Sequence, residues 1–231
     1  MDNLPQKDTT KDMKNLNQNN KAFTMIEMVF AIVVIGVLTA VALPRLQRDT
    51  KQQVADSILS DIRYTQHLAL IDDKHNINNN SWQRSFWRIG FNSCGGGSGL
   101  YEYIGSDMDY GGGISNNEAA IDPVNGKRMN WSTFTNCSNG GDAQTSDRIF
   151  LTNKYGITNI SWGGSCSRAR YVGFDNMGRP HQGFTLSGSA NYISRLNTAC
   201  FIKFKLSGGD TFSISIQPET GYAQIVGQDQ S

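Results

Sequence analysis

An unbroken apolar run, Phe23–Leu43 (FTMIEMVFAIVVIGVLTAVAL), constrains this 231-residue chain more than any other feature. Its 21 residues are about the length of helix that crosses a hydrocarbon core of roughly 30 Å. One charge interrupts it, Glu27, near its start. A carboxylate at mid-bilayer costs roughly 2.5–3.5 kcal/mol, less near an end, so it marks function by default. The mean hydropathy of the whole chain is −0.41, so the rest of the sequence is soluble in character. The net charge of +1 gives no overall pull toward nucleic acid or acidic lipid.

The run follows a polar leader, Met1–Ala22, in which four lysines face three aspartates. Secretory signals have apolar cores of about 7–15 residues, so this run is too long for one. Arg45, Arg48 and Lys51 lie beyond it, and the positive-inside rule therefore does not orient the segment firmly. Met13 is a second candidate start.

Helical periodicity continues past Pro44. Val54, Ile58, Ile62 and Ala69 share a face with Leu59, Thr65 and Leu68, while Lys51, Gln52, Asp56, Asp61 and Arg63 fill the other side. The pattern predicts one helix from about Phe23 to Leu70, amphipathic in its second half, with Gly36 and Pro44 as points of kinking.

Ala22-Phe23-Thr24-Met25-Ile26-Glu27, followed by the apolar run, resembles the processing motif of the type IV prepilin and pseudopilin family. Ala22 stands where that family usually has Gly. The resemblance implies cleavage between Ala22 and Phe23 by a prepilin peptidase, N-methylation of Phe23, and assembly with other pilin or pseudopilin subunits. It implies a single-pass inner-membrane precursor with its C-terminal domain in the periplasm. Glu27, roughly 6 Å along the helix from Phe23, would meet the new Phe23 amine of a neighbouring subunit. In hydrocarbon that pairing offsets the desolvation of both charges and sets axial register. Phe174-Asp-Asn-Met-Gly-Arg-Pro180 and Pro218-Glu-Thr-Gly221 look like the H-type minor pseudopilins and FimT-like minor pilins. The corresponding organisation is a leader at 1–22, a membrane half of the helix at 23–43, an amphipathic half at 44–75 and a head at 76–231.

From His75 onward, short alternating runs are broken by Gly, Asn and Ser. Trp87–Phe91, Tyr101–Ile104, Ile149–Leu151, Tyr171–Phe174, Phe201–Leu206 and Thr211–Ile216 read as strands, the last two as a hairpin. The expected fold class is α+β, a long helix packed on a β-rich head. Four cysteines, none in a C-x-x-C pair, suggest two disulfides in an exported domain, with three possible pairings. The sequence-local choice is Cys94–Cys137 with Cys166–Cys200.

Asp107, Asp109 and Glu118 occupy positions 1, 3 and 12 of a calcium-loop pattern, with Gly112 at 6, the Gly113 carbonyl at 7 and Ser115 at 9. Gly111 replaces the usual Asp or Asn, and no flanking helices are evident, so a glycine loop with solvated acids competes with a calcium site. Arg168, Arg170, Arg179, Lys203 and Lys205 are candidate phosphate contacts for DNA, a partner of FimT-like minor pilins; scattered solvated charges are the competing reading. His67, His75 and His181 match no catalytic motif and read as surface or packing residues. A minor filament subunit without enzymatic activity or a required cofactor is the expectation; a membrane-anchored periplasmic hydrolase is the contrasting one.

Overall fold

The computed structural model describes residues 24–190 and 192–228, and for residues 40–49 and 192 the backbone alone. The chain divides into two compact units, Met1–Leu46 and Gln47–Ser231. Helix α1, Met25–Ile71, is helical through Gly36 and Pro44. Its amphipathic stretch, residues 47–71, belongs to the second unit.

Two four-stranded antiparallel sheets make up the head. The first has the order β2-β1-β4-β5, from β1 (Trp87–Ser93), β2 (Leu100–Gly105), β4 (Tyr171–Phe174) and β5 (Pro180–His181). The second has the order β3-β6-β7-β8, from β3 (Ile157–Gly164), β6 (Cys200–Leu206), β7 (Thr211–Ile216) and β8 (Ala223–Ile225). The architecture is α+β, as the alternation of patterns predicts. The β6–β7 hairpin turns at Ser-Gly-Gly-Asp, where the Gly209 N–H donates to the Leu206 carbonyl at 3.0 Å.

One core joins helix and sheets. Val54, Ile58 and Ile62 of α1 are buried with Ile89, Ile104, Val172 and Phe204 from the strands. Hydrogen bonds from residues flanking that face also fasten the helix: Tyr64 donates to the Ile121 carbonyl at 2.7 Å and Arg63 to the Ala223 carbonyl at 3.0 Å. Asp61, expected on the solvent side, is buried. An ion pair with Arg148 explains its position, because a buried carboxylate with a matched cation tolerates a place the apolar periodicity would refuse.

Ile149–Leu151 is not a strand. Ser146 caps a 3₁₀ turn, Asp147–Ile149, and a short helix α2, Leu151–Tyr155, follows. Gly156 ends that helix in the left-handed region, at φ 68°. Strand β3 is not legible in the sequence because the polar pair Thr158–Asn159 breaks its alternation, where its register against β6 also shifts, and because it ends in Gly-Gly. The disulfides are Cys94–Cys137 and Cys166–Cys200, with Cα separations of 5.9 and 5.1 Å.

Candidate functional site

At the start of α1, Thr24 caps the helix: its hydroxyl and carbonyl both accept from the Glu27 N–H, at 3.3 and 3.1 Å. Capping fixes where the helix begins and so places Glu27 in its first turn. There its negative charge faces the positive end of the helix dipole. Every face around it is apolar and bare: Met25 is 87% exposed, Phe30 70%, and Ile26, Ile32 and Ile35 more than 60%. A helix apolar on all sides is a segment that lipid or neighbouring helices cover. Among the described residues no helix is long and apolar enough to cross a membrane. Ala22 and Phe23, with the expected cleavage bond, lie outside those residues, as do the side chains that end the run.

In the head, the loop between Asp107 and Glu118 brings its three acids together, one oxygen from each within 4.8 Å of the others. The rest of the expected calcium set is engaged by the protein itself. Glu118 accepts four hydrogen bonds, from the N–H groups of Met108, Asp109 and Ser115 and from the Ser115 hydroxyl, at 2.7–3.0 Å. Burial pushes its carboxyl up, but these donors outweigh it and hold the group below its usual range. Arg88 donates to the Gly112 and Gly113 carbonyls at 3.0 and 2.7 Å, and its guanidinium lies 3.8 Å from Asp107. A resident cation therefore occupies the position-7 carbonyl. Only one oxygen of Asp107, Oδ1, is buried without a partner.

A second cluster lies under α1. Arg148 reaches both oxygens of Asp61 at 3.1 Å and Asp122 Oδ1 at 2.8 Å. Beside them Glu102 is completely buried, and neither carboxyl oxygen meets a donor. Desolvation, then the negative charge of Asp61, push its pKa well above the ordinary value. A second negative charge beside Asp61 is disfavoured, so Glu102 binds its proton more tightly than a free carboxyl does. Periodicity cannot reveal this cluster: Glu102 lies in a strand-forming run, and its partners come from three distant segments.

Asp175 organises the turn before β5. It accepts from the N–H groups of Met177 and Arg179, from the Arg179 guanidinium, and lies 3.2 Å from His181 Nε2. Burial opposes ionisation, but His181 and Arg179 together bring its carboxyl down to about 2. His181 lies in β5, and its Nδ1 is 2.9 Å from the Ser194 hydroxyl. Ser194, His181 and Asp175 thus have the composition of a hydrolytic triad. They lack its access: Ser194 is 7% exposed, His181 2%, and the cavity reaching Ser194 holds about 80 Å³. Substrate pockets start at roughly 300 Å³. The trio reads as a buried clasp between β5 and the 192–194 turn.

The basic candidates do not act as one set. Arg179 is drawn into the Asp175 pair. Lys203 and Lys205 project from the exposed side of β6, and Arg168 and Arg170 are exposed in the segment before β4.

Residues 17–43 match the family model of the prokaryotic N-terminal methylation motif. No curated protein and no solved structure gives a significant match. The motif supports a subunit of the type IV pilin or pseudopilin kind and implies prepilin-peptidase processing, inner-membrane anchoring and assembly with other pilin subunits.

Proposed function

We propose that this chain is a minor pilin or minor pseudopilin, most like the H-type, which joins a type II secretion pseudopilus or a related filament through its N-terminal helix after cleavage between Ala22 and Phe23. One observation carries the reading: a single carboxylate, Glu27, stands in the capped first turn of a helix whose apolar surface is exposed on every side. Removing that surface from water requires many neighbours, and one acid among them requires a cation. Cleavage supplies the cation, as a new amine on Phe23 of an adjoining subunit. The role is structural, and calcium is not needed for it.

The size of the head supports a minor rather than a major subunit, since residues 76–231 make a bulky unit to repeat at every filament step. A second reading, DNA capture by the head, rests on Lys203 and Lys205 sharing the exposed side of β6. Lys203 between Ser161 and Ser213, and Lys205 between Asn159 and Thr211, make a modest electrostatic footprint. A salt-dependent gel shift abolished by Lys203→Ala with Lys205→Ala supports it; retardation that survives both changes removes it.

Co-purification of pilin-like neighbours from membranes tests the main reading. Glu27→Leu protein is expected to be cleaved normally but to recover few neighbours. Equal recovery with the Leu variant contradicts the role given to Glu27.

A further inference from the structure

A groove of about 520 Å³ lies in the head between the Asp107–Glu118 loop and the 130–134 segment. Its size lies within the range of pockets that hold small organic ligands. Both walls are fastened. Arg88 clamps the glycine carbonyls of one wall. On the other, the Cys94–Cys137 disulfide closes the segment's far end, Gly95 N–H donates to the Thr135 carbonyl at 2.9 Å, and Asn130 crosses to the Ile114 carbonyl at 3.0 Å. A groove rigid before binding loses little entropy when filled.

Its lining has a definite chemistry. Asn92, Asn116 and Asn130 bring amides to the lining, and Ser115, Ser132 and Thr133 bring hydroxyls. Asn130 already donates to Ile114 and Asn116, and Ser115 to Glu118, so these two present mainly acceptor oxygens to a ligand. Tyr103, Trp131 and Phe134 add aromatic surface. Phe134 is 94% exposed on a tight turn, where Ser132 accepts its N–H at 3.2 Å, so its ring is held out in water at the mouth of the groove. No acid lines the groove, and its one cation, Arg88, already bonds to three backbone carbonyls beside Asp107. Arg88 Nε is left buried with no partner.

We propose that this groove binds an uncharged oligosaccharide. Aromatic faces suit the C–H faces of sugar rings, and interleaved amides and hydroxyls match a ligand that is itself a dense array of donors and acceptors. A polyanion such as DNA finds no free cation here, and a cationic ligand finds no acid. The inference is independent of the assembly reading, which concerns the first turn of α1.

The test uses the full chain purified in a non-glycosidic detergent, titrated calorimetrically with cellotetraose, fully N-acetylated chitotetraose and maltotetraose, and separately with octathymidylate. Saturable binding of at least one tetrasaccharide is expected, weakened about tenfold or more by Phe134→Ala and retained by Phe134→Trp. Because Phe134 has almost no contacts of its own, its truncation leaves the fold intact, which an unchanged melting temperature verifies. The proposal is overturned if no tetrasaccharide saturates up to about 10 mM, if Phe134→Ala binds like the parent, or if octathymidylate displaces the sugar.

Discussion

Arg148 grips Asp61 of α1 through both carboxylate oxygens, at 3.1 Å each, and the same guanidinium holds Asp122 at 2.8 Å. One arginine thereby ties the helix to two segments of the head, in a site where only 16% of its side chain meets water. Breaking a buried pair by removing one partner leaves the other charge without compensation, at a cost of roughly 3–5 kcal/mol. Arg148→Met is expected to lose about that much stability, read from the midpoint of urea unfolding, and Asp61→Asn less because Asp122 still balances the arginine. A loss of under about 1 kcal/mol for Arg148→Met would mean that the pair is a surface contact in practice.

Glu102 makes the head's stability fall as pH rises. Its folded carboxyl binds a proton more tightly than the unfolded chain does, because burial and the neighbouring Asp61 and Asp122 oppose its charge. Arg148 opposes them, and desolvation and the two acids outweigh it. Such a group contributes fully below the ordinary carboxylate range, near pH 4, and its contribution is lost as pH rises through the folded value. Glu102→Gln keeps the shape and removes the titration. We expect the variant to match the parent at pH 4 and to exceed it in thermal stability at pH 8. Identical pH profiles for the two proteins contradict a protonated Glu102.

In the Asp107–Glu118 loop, Arg88 supplies the positive charge. Wild-type protein is expected to resist limited proteolysis of this loop equally in calcium and in chelator, whereas Arg88→Met opens it under both conditions. Calcium-dependent protection of the wild type, lost in Asp107→Ala, would show instead that the acids hold a metal.

What the sequence disclosed depended on how local the physics was. The apolar run, the amphipathic face of α1, the β6–β7 hairpin and both cysteine pairings rest on spacing or proximity along the chain. The two family-like turns were visible as Asp-Asn-Met-Gly-Arg-Pro and Pro-Glu-Thr-Gly, but their common purpose was not. Gln66 of α1 donates to the Gly178 carbonyl at 2.9 Å and to the Thr220 carbonyl at 2.8 Å, so both turns dock on one helix side chain. Gly178 and Gly221 adopt φ of 76° and 65°, and a Cβ on either would crowd Gln66.

Long-range polar contacts stayed hidden. Nothing in Ile149–Leu151 itself says that Ser146 caps a turn there. Asp61 reads as a solvent-side charge, and Glu102 as one more residue of a strand run, until the fold sets them beside Arg148. The calcium pattern names three acids that the fold brings within 4.8 Å of one another, but it says nothing of Arg88, which lies nineteen residues upstream of Asp107 and takes the loop's carbonyls.

The account stands most directly on the N-terminus of the mature protein. Mass spectrometry of the full chain isolated from membranes of a prepilin-peptidase-bearing host should find a polypeptide beginning at Phe23 and carrying one N-methyl group. A membrane-embedded protein that keeps residues 1–22 would have no Phe23 amine to meet Glu27, and that result would contradict it.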